Sequence, residues 1–418
     1  MSIKIKSNIF VIIATITSIN SYGAGFQVSE HSGAGLGRAF SGEAAIADTA
    51  AVLANNPAAM TRFDRAEVSG SFTAIMPSID VNDESYGQKA SNIAPNAYVP
   101  AAYYIQPINE RLAVGLGLFS SYGIGTDYPE DFNAGLAAGK TSLTTFNLNP
   151  NVAYKINEQL SIGAGVSLVY GTAELNRRWG GDVTPEELVM EMEGDSYSWG
   201  WNVGTLYEVN ENNRFALSYR SQVDMDFEGD FTDHTGTIVD NNKGHAVTGE
   251  LPVVLPAIAE FAGFHQLNSQ WSMHYSIQWT QYSQFKELAA TSSQCKASGE
   301  DGICFYKDED YKDTFRFALG GSYTVSPKWI LRAGVAYDQR AGQSTLSIPD
   351  TDRYWYSAGA SYVFNDDLSI DLGITYLQSA EASFEEEISP SNPDDGTMHS
   401  FTSTGNALLG SAQVNYKF

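Results

Sequence analysis

Residues 270–280 alternate without a fault. Trp271, Met273, Tyr275, Ile277 and Trp279 share one side of an extended chain, and Gln270, Ser272, His274, Ser276, Gln278 and Thr280 share the other. A period of two predicts a strand with one wholly apolar face. The pattern recurs at 160–170, where Leu160, Ile162, Ala164, Val166, Leu168 and Tyr170 oppose Ser161, Gly163, Gly165 and Ser167, and again through Tyr354, Tyr356, Ala358, Ala360, Tyr362 and Phe364. Segments of this kind fall near 66–77, 97–107, 111–121, 142–155, 159–173, 196–209, 213–229, 256–267, 270–286, 312–325, 328–338, 353–365, 367–380 and 404–418. That makes fourteen, an even number, as a closed antiparallel membrane barrel requires. The connections alternate in length. Asn157-Glu158, 210–213, 267–269, Ser326-Pro327 and Asn365-Asp366 are short, whereas about 174–195, 230–255, 287–311 and 381–403 are long. Short turns on one side and long loops on the other are the mark of an outer-membrane barrel. The last strand sets Ala412, Val414, Tyr416 and Phe418 against Ser411, Gln413, Asn415 and Lys417, an amphipathic ending that the barrel-assembly machinery is expected to read through Phe418.

Two long loops carry apolar residues. Thr184-Pro185-Glu186-Glu187 reads as a helix start, with Thr as cap, Pro at the first position and Glu three after the cap, so a short helix is predicted through Leu188, Val189 and Met190. The loop 230–255 runs into the apolar stretch Leu251-Pro-Val-Val-Leu-Pro256. Together they suggest either a landing site for a greasy ligand or a lid packed on itself.

The stretch 24–65 breaks the pattern. It is rich in Gly and Ala and has no alternation, so it is not a strand. A short helix is plausible over 42–48, and Asn56-Pro57 interrupts the chain. Glu30, Arg38, Glu43, Asp48, Arg62, Asp64 and Arg65 make it polar enough to sit in a lumen. Residues 1–23 carry Lys4 and Lys6, an apolar core and small residues at Ser21 and Gly23, the layout of a secretory signal that is too short to span. The expected organisation is therefore a signal peptide at 1–23, a hatch at 24–65 and a barrel at 66–418. In fold class this is an all-β protein, a 14-stranded antiparallel transmembrane β-barrel plugged by a small N-terminal helical or irregular hatch.

Composition narrows the chemistry. The formal charge is −25, and −27 once Lys4 and Lys6 are removed, which argues against nucleic acid as a partner. The 23 Tyr, 21 Phe and 7 Trp suit aromatic girdles at two bilayer interfaces. Cys295 and Cys304 flank a polar Gly-containing loop and are most simply a disulfide in an exported protein, worth about 2–3 kcal/mol by chain entropy. None of His31, His234, His245, His265, His274 and His399 sits in a hydrolase or zinc motif, so neither a catalytic residue nor a metal or other cofactor is expected. An outer-membrane enzyme and an open diffusion porin are the rival classes, and the hatch argues against the porin.

Several segments carry a resemblance: Gly25-Phe26-Gln27, Gly35-Leu36-Gly37-Arg38-Ala39, Gly42-Glu43, Ala45-Ile46-Ala47-Asp48, Asn56-Pro57-Ala58, Asn92-Ile-Ala-Pro95, Glu211-Asn-Asn-Arg-Phe-Ala-Leu-Ser-Tyr-Arg220, Tyr311-Lys-Asp-Thr-Phe-Arg316 and Ser347-Ile-Pro-Asp-Thr-Asp-Arg-Tyr-Trp355. In this order they resemble the FadL family of outer-membrane long-chain fatty acid transporters, over 24–418. The resemblance implies a monomer in contact with outer-membrane lipid and lipopolysaccharide. Ligand is captured between outer loops, held in an inner pocket and released sideways through a kink in the third strand. Carried over by residue, the cation that meets the carboxylate falls on Arg177 or Arg178, with Arg178 fitting better when the Gly-Asp pair anchors the match. The second cation falls on Lys312, and Phe26 matches the residue that reaches the pocket. The kink should lie at Ser121-Tyr122-Gly123, where glycine interrupts a strand, and Asn56, Pro57 and Ala58 belong with it to the gating apparatus. The cysteine pair departs from the family pattern. Paired cations favour an anionic lipid; neutral aromatic or aliphatic hydrocarbons are the alternative cargo.

Overall fold

The computed structural model describes residues 25–180, 187–239, 242–296, 302–388 and 398–418. Fourteen antiparallel strands close into one barrel. They are β1 (Glu67–Asp83), β2 (Ala97–Pro107), β3 (Leu112–Phe119 and Gly123–Asp127), β4 (Lys140–Lys155), β5 (Leu160–Arg178), β6 (Leu188–Asn210), β7 (Asn213–Arg220 and Val223–Asp233), β8 (Ala246–Leu255 and Ile258–Gln266), β9 (Trp271–Thr280 and Glu287–Thr291), β10 (Ile303–Asp308 and Thr314–Ser326), β11 (Trp329–Asp338), β12 (Arg353–Val363), β13 (Leu368–Ser379 and Ala382–Glu387) and β14 (Met398–Lys417). Each pairs with its sequence neighbours. β14 closes the ring on β1, from Glu67↔Lys417 to Asp83↔Phe401.

Burial is inverted relative to a protein folded in water. On β9, Trp271 is 50% exposed and Ile277 40%, while His274 is 0% and Ser276 4%. On β14, Val414 and Tyr416 face out while Gln413 and Asn415 are buried. The apolar face is turned to lipid and the polar face to the lumen, as the alternation predicts. Aromatic pairs mark both rims. Trp271–Tyr323 at 4.5 Å and Trp329–Tyr362 at 4.8 Å lie beside the short turns, and Tyr170–Tyr197 at 4.6 Å lies towards the long loops.

The long connections differ from expectation. Much of 174–195, 230–255, 287–311 and 381–403 is strand, because the hairpins continue beyond the lipid. Leu188, Val189 and Met190 are not helical. They open β6, with Met190 opposite Arg177 on one side and Asp233 on the other. A ladder on both flanks outcompetes a single helical turn, whose nucleation is unfavourable. Thr184, Pro185 and Glu186 lie outside the described residues, as do 1–24. The apolar run from Leu251 belongs to β8 and pairs with β7 up to Leu255↔Val223.

Residues 25–65 fill the lumen. They form α1 (Gly33–Leu36), α2 (Glu43–Ile46) and two 3₁₀ turns, Ala50–Ala54 and Pro57–Arg62, the second capped by the Asn56 side chain accepting from the Ala58 N–H. Wall side chains satisfy their backbone: Arg214 reaches the Ala45 carbonyl at 2.6 Å, Arg220 that of Ala54 at 2.7 Å and Arg316 that of Ala39 at 2.9 Å. Ser71 of β1 donates to the His31 carbonyl, and Gln413 of β14 accepts from the Gly33 N–H, both at 2.8 Å. Inside the hatch Arg38 pairs with Glu43 at 2.7 Å and Asp48 at 2.8 Å, and Asp48 meets Arg332 of β11 at 3.3 Å. Glycines let the two bodies touch. A Cβ on Gly359 of β12 would stand 2.7 Å from the Gly37 Cα.

Candidate functional site: a cavity above the hatch

The ladder between β2 and β3 runs from Pro107↔Ala113 to Ala102↔Leu118 and stops. Among the described residues the outer piece of β3 has only β4 as a strand neighbour, and Ala97–Ala101 of β2 keep only β1. Between Phe119↔Asn147 and Gly123↔Thr144, β3 advances four residues while β4 advances three, so one residue bulges. The break at 120–122 therefore opens the wall between β2 and β3. The start of the hatch fills in for the missing ladder: the Val28 N–H donates to the Ser121 carbonyl and the Gly123 N–H to that of Phe26, both at 2.8 Å. Thr145 of β4 donates to the Tyr122 carbonyl at 2.7 Å, and the Tyr122 hydroxyl donates to Pro256, in the break of β8.

On its other flank the hatch start, residues 26–28, is tied to β9 and its break. The Tyr282 hydroxyl accepts from the N–H groups of Phe26 at 3.1 Å and Gln27 at 2.9 Å, and the Gln27 side chain meets Gln278 and Thr280 at 2.9 and 3.0 Å. Gly25 makes this approach possible: its φ is +58° and a Cβ there would stand 2.7 Å from the Tyr282 ring. The Phe26 ring is buried against Tyr122, Tyr282 and Phe285, with centroids 6.0, 5.4 and 5.0 Å away.

Phe26 forms part of the lining of a mainly apolar cavity whose empty space, about 780 Å³, includes the part open to solvent. Leu143, Leu175, Phe227, Val253, Leu288 and Ile348 line it further, drawn from β4, β5, β7, β8, β9 and the segment before β12. Next to its lining the residues turn polar. Two positions beyond Leu175 on the same face of β5, Arg177 is 1% exposed and donates to the Ser347 Oγ at 2.7 Å and to the Asn176 carbonyl at 2.7 Å, with its guanidinium 5.8 Å from the Phe305 ring. Lys307 of β10 reaches the same Ser347 Oγ at 3.2 Å and pairs with Glu386 of β13 at 2.7 Å. Two cations thus converge on one hydroxyl beside an apolar cavity.

The residues anticipated from sequence divide. Arg178, one step further along β5, points away and pairs with Glu130 at 3.2 Å. Strand parity carried this signal, since Leu168 and Tyr170 face lipid and the odd positions face in. Lys312 is exposed at the end of the β10 break, its N–H donating to the Ala341 carbonyl at 2.7 Å, so it does not join Arg177. Lys307 does, in Tyr306-Lys307-Asp308, which repeats the triplet Tyr311-Lys312-Asp313 five residues earlier. Asn56 is fully buried and donates to the Ala44 and Thr205 carbonyls at 2.9 and 3.0 Å. Its triplet packs on Gly163 and Gly204 of β5 and β6, away from the break, while Leu53 and Met60 underlie Gly115 and Gly117 of β3. A disulfide joins Cys295 to Cys304, and Cys304 adjoins the cavity. Among the described residues no His, Cys, Asp and Glu group has the spacing of a metal site.

Known proteins share this architecture. The crystal structure of a Pseudomonas aeruginosa FadL homologue superposes with a TM-score of 0.82 at 23% identity, covering 94% of this chain and 100% of that one. The Pseudomonas putida toluene transporter TodX gives 0.68 at 17% identity, covering 96% and 99%. The long-chain fatty acid transport protein of Escherichia coli O6:H1 is 38% identical over 452 residues, 99% of this chain and 98% of the relative. Outer membrane protein P1 of Haemophilus influenzae is 37% identical over 448 residues, 94% and 95% of the two chains. Residues 13–418 match one family across this whole length, and the chain, an outer-membrane β-barrel, belongs to it: the outer membrane protein transport protein (OMPP1/FadL/TodX) family.

Proposed function

We propose that this barrel carries long-chain fatty acids into the outer membrane by passive, ligand-gated diffusion. The acid is captured at the outer hairpins of β5–β6 and β7–β8, whose apolar residues Met192 and Leu251 line the cavity. Its chain enters the apolar cavity, each CH₂ removed from water contributing about 0.8 kcal/mol. Its carboxylate, which must be paired once desolvated, meets Arg177 and Lys307 in exchange for their bonds to Ser347 and Glu386. Pressure on Phe26 then frees residues 26–28 from the break in β3, and the ligand leaves between β2 and β3. The observation that carries this reading is the pair of cations beside an apolar cavity lined by the residue that bridges the wall break. The relatives called long-chain fatty acid transport proteins support it. The toluene transporters among the structural neighbours favour a neutral hydrocarbon, which would have no use for paired cations.

The test is growth of an outer-membrane transport mutant carrying this gene on oleate against toluene, together with binding by purified variants. Arg177→Ala with Lys307→Ala weakens oleate at least tenfold more than an alkane of equal length, on the order of the 1.5–3 kcal/mol of a hydrogen bond to a charged group. Arg178→Ala leaves both nearly unchanged. Equal losses for the two ligands would remove the carboxylate role.

A further inference from the structure

One acid in the polar group beside the cavity is unaccounted for. Glu309 follows the outer piece of β10 and lies on the same side as Lys307, two residues away. It is 5% exposed, and among the described residues neither of its carboxyl oxygens has a hydrogen-bond partner. Its backbone is fixed, the N–H donating to the Lys286 carbonyl at 2.7 Å, so the side chain is held in place without being satisfied. The groups facing it come from four elements. They are Lys307, Asp308 and Tyr311 on its own segment, Arg177 on β5, Glu386 on β13, and Tyr128 after β3, whose charge interaction with Arg177 places it in the same group. Asp350 also bears on Tyr311 but is already paired with Arg353 at 2.6 Å. The Tyr128 and Tyr311 hydroxyls are buried and, like Glu309, have no hydrogen-bond partner among the described residues.

The charges then count in one way. Asp308 is exposed and accepts from the Tyr306 hydroxyl at 2.7 Å, so solvent screens it. Inside the group Arg177 and Lys307 bring two positive charges and Glu386 one negative, which leaves room for a single further anion. An ionised Glu309 would take that place. So would a bound carboxylate, but the low-dielectric site does not hold both.

We propose that Glu309 is a third head-group contact, that it is neutral when ligand is bound and donates its O–H to the ligand's anionic head, and that the site therefore takes up one proton as it captures an anionic amphiphile. This rests on the reading of Arg177 and Lys307 as the anion-binding pair. It adds a specificity: the site prefers a head that is both anionic and a hydrogen-bond acceptor, and it discriminates by pH. The balance is simple. A proton moves from solvent to the Glu309 carboxylate, the ligand's negative charge replaces that of Glu309, and no covalent bond changes. Burial pushes the Glu309 carboxyl up to about 7, against the pull of Lys307, so the exchange falls in the neutral range. The sign follows. Below that value the acid is already neutral and affinity is high. Above it each ligand must bring a proton, and affinity falls about tenfold per pH unit at the limit.

The experiment uses the full-length protein in lipid nanodiscs and a C12 alkyl sulfonate, whose charge is fixed across the range, with an uncharged alkyl maltoside of equal chain length beside it. Dissociation constants are measured from pH 5.5 to 8.5. In the wild type the sulfonate weakens progressively above about pH 7 while the maltoside stays level. In Glu309→Gln, which keeps a donor and cannot ionise, the sulfonate curve flattens and stays near its acid value. In Glu309→Ala the slope also disappears, but affinity is lower throughout. A slope that persists in Glu309→Gln, or a flat wild-type curve with the sulfonate still preferred, overturns the role of Glu309 and leaves the cation pair standing. No preference for sulfonate over maltoside at any pH overturns the anion-binding reading itself, and this inference with it.

Discussion

Tyr282→Phe isolates the hold of the wall on the start of the hatch. The Tyr282 hydroxyl is the acceptor for two amides, the buried one of Phe26 and the half-buried one of Gln27. Phenylalanine keeps the edge contact with Phe26 at 5.4 Å and the packing against Tyr311, so the change removes one oxygen and little else. A buried donor left without a partner costs about 1–3 kcal/mol and a half-buried one less, so the bound state of residues 26–28 loses about 2–3 kcal/mol. Converted at 1.4 kcal/mol per decade, the open form of this segment becomes about 30- to 150-fold more populated. The assay is hydrogen exchange read by mass spectrometry on the N-terminal peptide, with the Ser121 and Gly123 region followed in parallel. Exchange at 26–28 accelerates by that factor. The break in β3 loosens with it, because the Val28 and Gly123 amides bond across the same join. Unchanged protection at 26–28 would refute the claim that Tyr282 anchors the segment. Faster exchange there with no change at the break would refute the coupling between hatch and wall.

Two further outcomes follow from the hatch. Gly359→Val places a branched side chain where a Cβ alone would stand 2.7 Å from the Gly37 Cα, so α1 is pushed off the wall, and small polar solutes leak across the outer membrane in a swelling assay. The Asp48 carboxyl is pushed up by burial but held down more strongly by Arg38 and Arg332, to about 2, well under its ordinary value of 3.8. A depressed acid stabilises the folded form above its unfolded value and loses that contribution as pH falls through the folded one. Hatch protection in hydrogen exchange is therefore retained down to about pH 4 and declines from there towards pH 2. Asp48→Asn removes this acid dependence and weakens the hatch at neutral pH.

The barrel was readable because its rule is local. Each lipid-facing strand must alternate whatever its neighbours do, so Trp271 to Trp279 identify β9 without knowledge of β8 or β10. The rule weakens where the hairpins leave the bilayer. At 188–195, alternating Glu and Met do pair, yet Thr184-Pro185-Glu186-Glu187 carries a helix-start pattern that only a flanking ladder could overrule. The same boundary governs the site. Arg177 was within reach by parity from Leu175, whereas anchoring on the following Gly-Asp pair favoured Arg178. Lys307 was out of reach. Both lysines sit in a Tyr-Lys-Asp triplet, and what separates them is the break in β10 between Asp308 and Thr314, a tertiary feature that turns one side chain inward and leaves the other exposed. The role of Ser347 as the hydroxyl both cations share depends on β5, β10 and the segment before β12 meeting, and no single stretch of sequence encodes that.

The seam between β1 and β14 joins the first and last strands of the barrel, and that pairing closes the ring. The plug bonds to both lips of that seam, through Ser71 on one and Gln413 on the other. It therefore acts as a rivet across the seam, holding the terminal strands in the register that runs from Glu67↔Lys417 to Asp83↔Phe401. A chain made without its plug would be looser at that seam as well as leaky.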